Sequence, residues 1–229
     1  LPRRAFFTPE LFTFLRELRR NNRRDWLATH KERYERVARA PMLDFIEAVG
    51  PKLSSISRHL VADPRPTGGS FFRIYRDTRF SADKSPYKTH VAAQFRHDAG
   101  RDVHAPGFYL HLEPGEVFGG GGIWRPDPAA LKRVRGLIAA RPDAWKRAVG
   151  GKAFRTLCQL GGESLARAPK GFDPDHPLID VLKRKDFIVT TAFDEELVCS
   201  PELLERFVAA CRAAAPLLAL LTEALELPW

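Results

Sequence analysis

Residues 107–113 read Gly-Phe-Tyr-Leu-His-Leu-Glu, and after Pro114-Gly115 the chain runs on through 117–124 as Val-Phe-Gly-Gly-Gly-Gly-Ile-Trp. Alternation puts Phe108, Leu110 and Leu112 on one side of an extended segment and Tyr109, His111 and Glu113 on the other, the period-two pattern of a strand with one buried face. Pro-Gly is a turn dipeptide, and so short a connection makes the two strands antiparallel neighbours. Working outward, residues 71–80 and 91–96 are expected to be strands before this hairpin, and residues 187–192 a fifth strand after it.

Helical spacing dominates both ends of the chain. Thr8-Pro9-Glu10 has the form of a helix start, Leu11, Phe14, Leu15 and Leu18 mark one face, and Asn21-Asn22 ends it. A second helix opens near Asp25 with Trp26, His30, Tyr34 and Val37 at helical spacing, and Pro41 is expected to kink or divide it. Asp127-Pro128 caps a helix through Ile138, and Pro142 starts another. Ser200-Pro201 caps a long one with Leu204, Phe207, Cys211, Leu218, Leu221 and Leu225 as its core stripe. Strands grouped in the middle and helices at the ends give an α+β fold, a central mainly antiparallel sheet packed with N-terminal and C-terminal helices. The 229 residues suffice for one domain, 1–229, and show neither an internal repeat nor a separating linker.

Composition narrows the class. No apolar run reaches the roughly 20 unbroken residues that cross a bilayer, so no membrane partner is expected. Cys158, Cys199 and Cys211 are odd in number and widely spaced in apolar surroundings, as reduced thiols of a cytoplasmic protein would be. The net charge is +9, unevenly spread: residues 1–39 hold 11 basic against 5 acidic groups, residues 73–96 hold 6 against 2, and residues 193–229 hold 2 against 7. Charge alone makes nucleic acid a conceivable partner, but no reading motif or stacking platform accompanies it, so any such binding is expected to be weak and unspecific.

The densest chemistry lies in residues 73–90, Arg-Ile-Tyr-Arg-Asp-Thr-Arg-Phe-Ser-Ala-Asp-Lys-Ser-Pro-Tyr-Lys-Thr-His. As a strand, its first part would place Arg73, Tyr75, Asp77 and Arg79 on one face and Phe72, Ile74, Thr78 and Phe80 on the other, with Arg76 a polar intruder. Ser81 to Pro86 then reads as a turn that returns Tyr87, Lys88 and His90 beside it. This pattern resembles the signature of the bacterial family called domain of unknown function 2461, Arg-x-x-Arg-Asp-x-Arg-Phe followed after a short spacer by Asp/Asn-Lys-x-x-Tyr-Lys-x-His. Asn21-Asn22 with Trp26 and Tyr34, the run Gly119 to Gly122, Pro169-Lys170-Gly171-Phe172 and Lys183-Arg184-Lys185-Asp186-Phe187 resemble it too. The resemblance spans essentially the whole chain and implies identity without an activity.

Read functionally, Arg73, Arg76, Arg79, Lys84 and Lys88 bind an anion, a phosphorylated or carboxylated small ligand. Tyr87 and His90 supply hydrogen bonds or proton transfer, with Asp77 or Asp83 as orienter or base, as in a hydrolase or transferase that stabilises charge. Read structurally, the same groups form an ion-pair network that fixes the register of a partner-binding module. Two acids cannot neutralise five cations at close range without an outside anion, which favours the functional reading. A third reading is a nucleic-acid-binding accessory protein.

His90, His97, His104 and His111 recur every seven residues, and a hairpin could bring some of them together with Asp98 or Asp102. Spacing of a recognised metal motif is absent, so no metal ligand set is expected and no cofactor is indicated. Gly119 to Gly122 lacks the Lys-Ser/Thr ending of a phosphate loop. It reads as a place of close backbone approach, to a ligand or to a packed helix.

Overall fold

The structure is a computed structural model and describes residues 4–79, 81–100 and 105–229. Phe80, Asp102 and His104 therefore lie outside the described residues. Helix α1 (Pro9–Arg20) begins at the expected proline, with Thr8 extended in the cap position though its hydroxyl makes no cap bond. After α2 (Arg24–Thr29) and α3 (Lys31–Tyr34), a π-helical turn at Glu35–Arg39 leads straight into α4 (Ala40–Ser54). Pro41 has no N–H to give the preceding turn, and the widened turn absorbs that missing bond, so the helix is interrupted where the proline is expected to divide it.

The sheet comprises β1 (Val91–Arg96), β2 (Gly107–Glu113), β3 (Glu116–Ile123), β4 (Gln159–Gly161) and β5 (Phe187–Phe193), in the order β1-β2-β3-β5-β4 with every pair antiparallel. Between β3 and β5 lie α5 (Pro128–Ala140), α6 (Pro142–Gly150), α7 (Lys152–Leu157) and α8 (Ile179–Leu182). After β5 come α9 (Glu195–Val198) and α10 (Leu203–Ala224). The fold is α+β. Asp127 accepts hydrogen bonds from the backbone N–H groups of Ala129 and Ala130, each at 2.8 Å, and so caps α5. The short strand β4 carries no alternation of its own and pairs only where β5 offers it an edge.

One expected strand is corrected. Among the described residues 71–79 there is no regular ladder: Phe71 bridges Ala93 of β1, but from Arg73 the chain turns away, and Tyr75 bridges Tyr87 on the returning limb instead. The backbone bonds record this change of partner, Phe72 N to Ala92 O at 3.0 Å and then Lys88 N to Ile74 O at 2.7 Å and Arg76 N to Pro86 O at 2.9 Å. Charges at nearly every second position leave little apolar surface with which to hold a full strand on the sheet. The alternation of exposure nevertheless survives, with Arg73, Tyr75, Asp77 and Arg79 exposed and Ile74 buried between them.

Helix α10 is the central core element. By length and composition it could cross a bilayer, yet Leu203, Phe207, Cys211, Leu217, Leu218 and Leu221 are buried within the protein, as in a core helix. It packs on β3, α4 and α6, and Phe207 sits between Phe45 of α4 and Phe95 of β1, each with ring centroids 5.6 Å away. Gly119 and Gly121 allow this approach. A Cβ at Gly121 would lie 2.7 Å from Phe108 and 3.0 Å from Leu218, and one at Gly119 2.9 Å from Phe193 and 3.1 Å from Phe207. The glycine run thus serves, on this face, the close helix packing expected of it.

Candidate functional site

The other face of the sheet carries the polar half of each alternation. In the β1–β2 register Ala92 lies opposite His111 and Gln94 opposite Tyr109, so His90, just before β1, falls level with Glu113. Phe118 and Gly120 of β3 continue those rows beside His111 and Tyr109. A cavity of about 440 Å³ opens on this face, walled by Phe72, Tyr109, Phe118, Trp124 and Ile188. Among its described lining residues Lys88 is the one cation and Glu116 the one carboxylate, with His90, Gln94, His111 and Thr190 among the other polar side chains.

Beside this cavity three side chains converge. His111 Nε2 stands 3.4 Å and His90 Nδ1 3.8 Å from Glu113 Oε2, and the two imidazole centroids are 4.4 Å apart. Each strand residue is held from behind: the Tyr109 hydroxyl lies 3.0 Å from His111 Nδ1, and the Thr89 hydroxyl donates to Glu113 Oε1 at 2.5 Å. Desolvation pushes the His90 pKa down to about 4, helped by His111, and desolvation also lowers that of His111. Both rings are therefore neutral at pH 7. Burial would raise the Glu113 pKa, but hydrogen bonds from Thr89 and His111 bring it below its ordinary value, so it is ionised. Burial raises that of Tyr109, which keeps its hydroxyl protonated. A carboxylate can only accept, so His111 Nε2–H donates to Glu113 and Nδ1 accepts from Tyr109.

The motif of residues 73–90 divides between two roles. In its outer loop Arg76 pairs with Asp83, Arg79 pairs with Asp77 at 2.6 Å, and the Lys84 ammonium donates to the Thr78 carbonyl at 3.0 Å. Asp83 also accepts from Ser85 N and Oγ, closing the turn. Asp77 and Asp83 hold loop groups and do not line the cavity; these bonds keep both carboxyls well below their ordinary pKa. Arg73 is exposed and makes no ion pair with a described residue. Tyr87, expected to take part in proton transfer, is buried with its ring 5.5 Å from that of Tyr75, outside the cavity lining. Only Lys88 and His90 of the nine candidates line the cavity.

Because the Arg79–Asp77 pair is solvent-exposed, its net stabilisation is small. Asp77→Ala is expected to leave the urea midpoint unchanged, a marked loss showing instead that the loop pair supports the fold. What anchors the returning limb is Asn22: its side chain accepts from Tyr87 N at 3.0 Å and donates to Tyr87 O at 2.9 Å.

The seven-residue histidine series has no single fate. His97 donates from Nε2 to the Pro228 carbonyl at 2.7 Å and accepts at Nδ1 from Ala99 N at 3.1 Å, so both its nitrogens are engaged in structure. His59 and Asp98 gather around it without a free ring nitrogen from His97. His111 and His90 converge with Glu113. Tyr109 and Glu113 were missing from the sequence candidates, although the alternation of 107–113 already puts them on the face of His111. The basic N-terminal segment is compensated in part: Arg33 pairs with Glu10 and Glu17, Arg36 with Glu10, Arg16 with Glu195 and Arg39 with Glu35.

Fold and site together define a class: an α+β protein whose antiparallel sheet takes its long helix on one face and an apolar-walled, histidine-bearing cavity on the other. The family model described as "Conserved hypothetical protein (DUF2461)" matches residues 10–219, and the chain belongs to that family. No curated protein matches the chain.

Proposed function

We propose that the cavity binds a small organic anion, an apolar body carrying one carboxylate or phosphate head, with Lys88 as the partner of that head. The observation that carries this reading is Lys88 itself. Its ammonium lies 5.1 Å from the centre of the Phe72 ring at the cavity wall, half-buried, with no acid in ion-pair range among the described residues. Burial and the nearby Arg73 lower its pKa, a sign that its charge is poorly compensated. A half-buried cation gains most from an anion delivered into the same partly dry space, and the aromatic and aliphatic walls suit the body of such a ligand. A reducing intracellular setting fits the three free thiols of Cys158, Cys199 and Cys211.

The test is calorimetric titration with ligands of one aromatic body and three heads: carboxylate, phosphate and the uncharged amide. At least one anion is expected to bind and the amide to bind at least about tenfold more weakly. Lys88→Met should lose a similar factor while keeping the melting temperature. Equal binding of anion and amide, or no effect of Lys88→Met on the bound anion, rules the reading out. The two anion arms tell a carboxylate site from a phosphate site.

A further inference from the structure

The trio beside the cavity can do more than hold itself together. We infer that His90, His111 and Glu113 form a binding site for a divalent first-row transition ion, with the remaining coordination positions open to the cavity. Donors bound to such an ion at about 2.1 Å stand roughly 3–3.5 Å from one another. Here the three donor atoms all lie within 4.8 Å of one another, with Glu113 Oε2 at 3.4 Å from His111 Nε2 and 3.8 Å from His90 Nδ1. Side-chain rotations that shift each donor by under about 1 Å bring the three to coordination distance.

The supporting contacts are those a metal site needs. His111 reaches inward through Nε2 while Tyr109 occupies its Nδ1, and Glu113 offers Oε2 while Thr89 holds Oε1. When an ion takes the place of the proton on Nε2, the ring passes to its other neutral tautomer: the Nε2 proton goes to solvent, Nδ1 takes one up from solvent, and Nδ1–H then donates to the Tyr109 oxygen, so the same hydroxyl serves both states. Two imidazoles and one carboxylate on one side, with no fourth described ligand, leave an ion exposed to whatever the cavity holds, the arrangement of reactive rather than purely structural sites. The other histidine cluster differs on this point, because His97 has no free ring nitrogen.

With one carboxylate, a divalent ion keeps a net charge of +1 facing the cavity near Lys88. An anionic head would then have two partners. The ion site nevertheless stands on residues other than the one that carries the organic-anion reading, so either can fail without the other.

Zinc titration of chelator-stripped, tag-free protein, in the absence of any organic acid, tests the inference. One equivalent is expected to bind with micromolar or tighter affinity. His111→Ala and Glu113→Gln should each weaken it at least tenfold, while His59→Gln leaves it unchanged. Should the variants fail to fold, the wild type alone decides: Co²⁺ should broaden the ring NMR signals of His90 and His111. The signals of His59 and His97 should stay sharp, since β1 separates them from the site by roughly 20 Å. No binding below about 100 µM, binding indifferent to His111→Ala and Glu113→Gln, or broadening centred on His59 and His97 overturns the assignment. His111 and Glu113 would then stand with Tyr109 as a hydrogen-bond relay.

Discussion

Gly122→Ala is expected to lower the free energy of unfolding by about 3 kcal/mol or more, the sum of left-handed backbone strain and a clash with fixed backbone. Gly122 has φ +129°, and a Cβ there would lie 2.0 Å from the Phe187 carbonyl oxygen and 2.9 Å from Ile188 Cα. Neither atom can rotate away, because both belong to the β5 backbone paired to β3. Gly115→Ala is the control: φ is +86° but nothing lies within 4 Å of the added carbon, so only the strain of about 1–2 kcal/mol applies. Urea unfolding of the two variants separates the contributions. Similar losses in both would show that β5 gives way and that the close approach is not a constraint.

Phe207→Ala should cost about 3–5 kcal/mol, the range for deleting a fully buried phenyl ring. Phe207 is fully buried and joins α4 to β1 through Phe45 and Phe95 while lying over Gly119. A second substitution tests the geometry more closely. Gly119→Ala alone crowds Phe207 and Phe193 and is expected to cost about 1–3 kcal/mol, but in the Phe207→Ala background part of that cost disappears. Strict additivity of the two losses would mean that Phe193, not Phe207, is the constraint at Gly119.

The parts of the fold that were legible in the sequence were those with one dominant local signal. The alternation of 107–113 gave the right faces, Asp127-Pro128 a real cap, and Pro41 its interruption. The strand expected at 71–80 failed because alternation reports which face a residue takes, not which neighbour its backbone bonds; the faces held while the partner changed at Arg73. The candidate site was legible in place but not in membership. Charge density drew attention to Arg76, Arg79, Asp77 and Asp83, which satisfy one another in the loop. Glu113 and Tyr109, a strand away, meet the motif only through the β1–β2 register, a long-range relation that spacing along the chain does not carry. Lys88 and His90 could be named from sequence, but their separation from Tyr87, which turns into the core, could not.

The Asn22 clamp has a consequence for the order in which the molecule assembles. Its two bonds to Tyr87 close a loop of 65 residues, and Lys88 and His90 follow immediately on the clamped residue. Closing so long a loop has an entropic cost that grows with its length, so this contact is expected to form after the local ones. The β2–β3 hairpin, closed by a two-residue turn, faces no such delay. The cavity wall is thus expected to assemble in two stages, with Tyr109 and His111 on the early hairpin and the lysine and histidine that complete them brought in with the clamp.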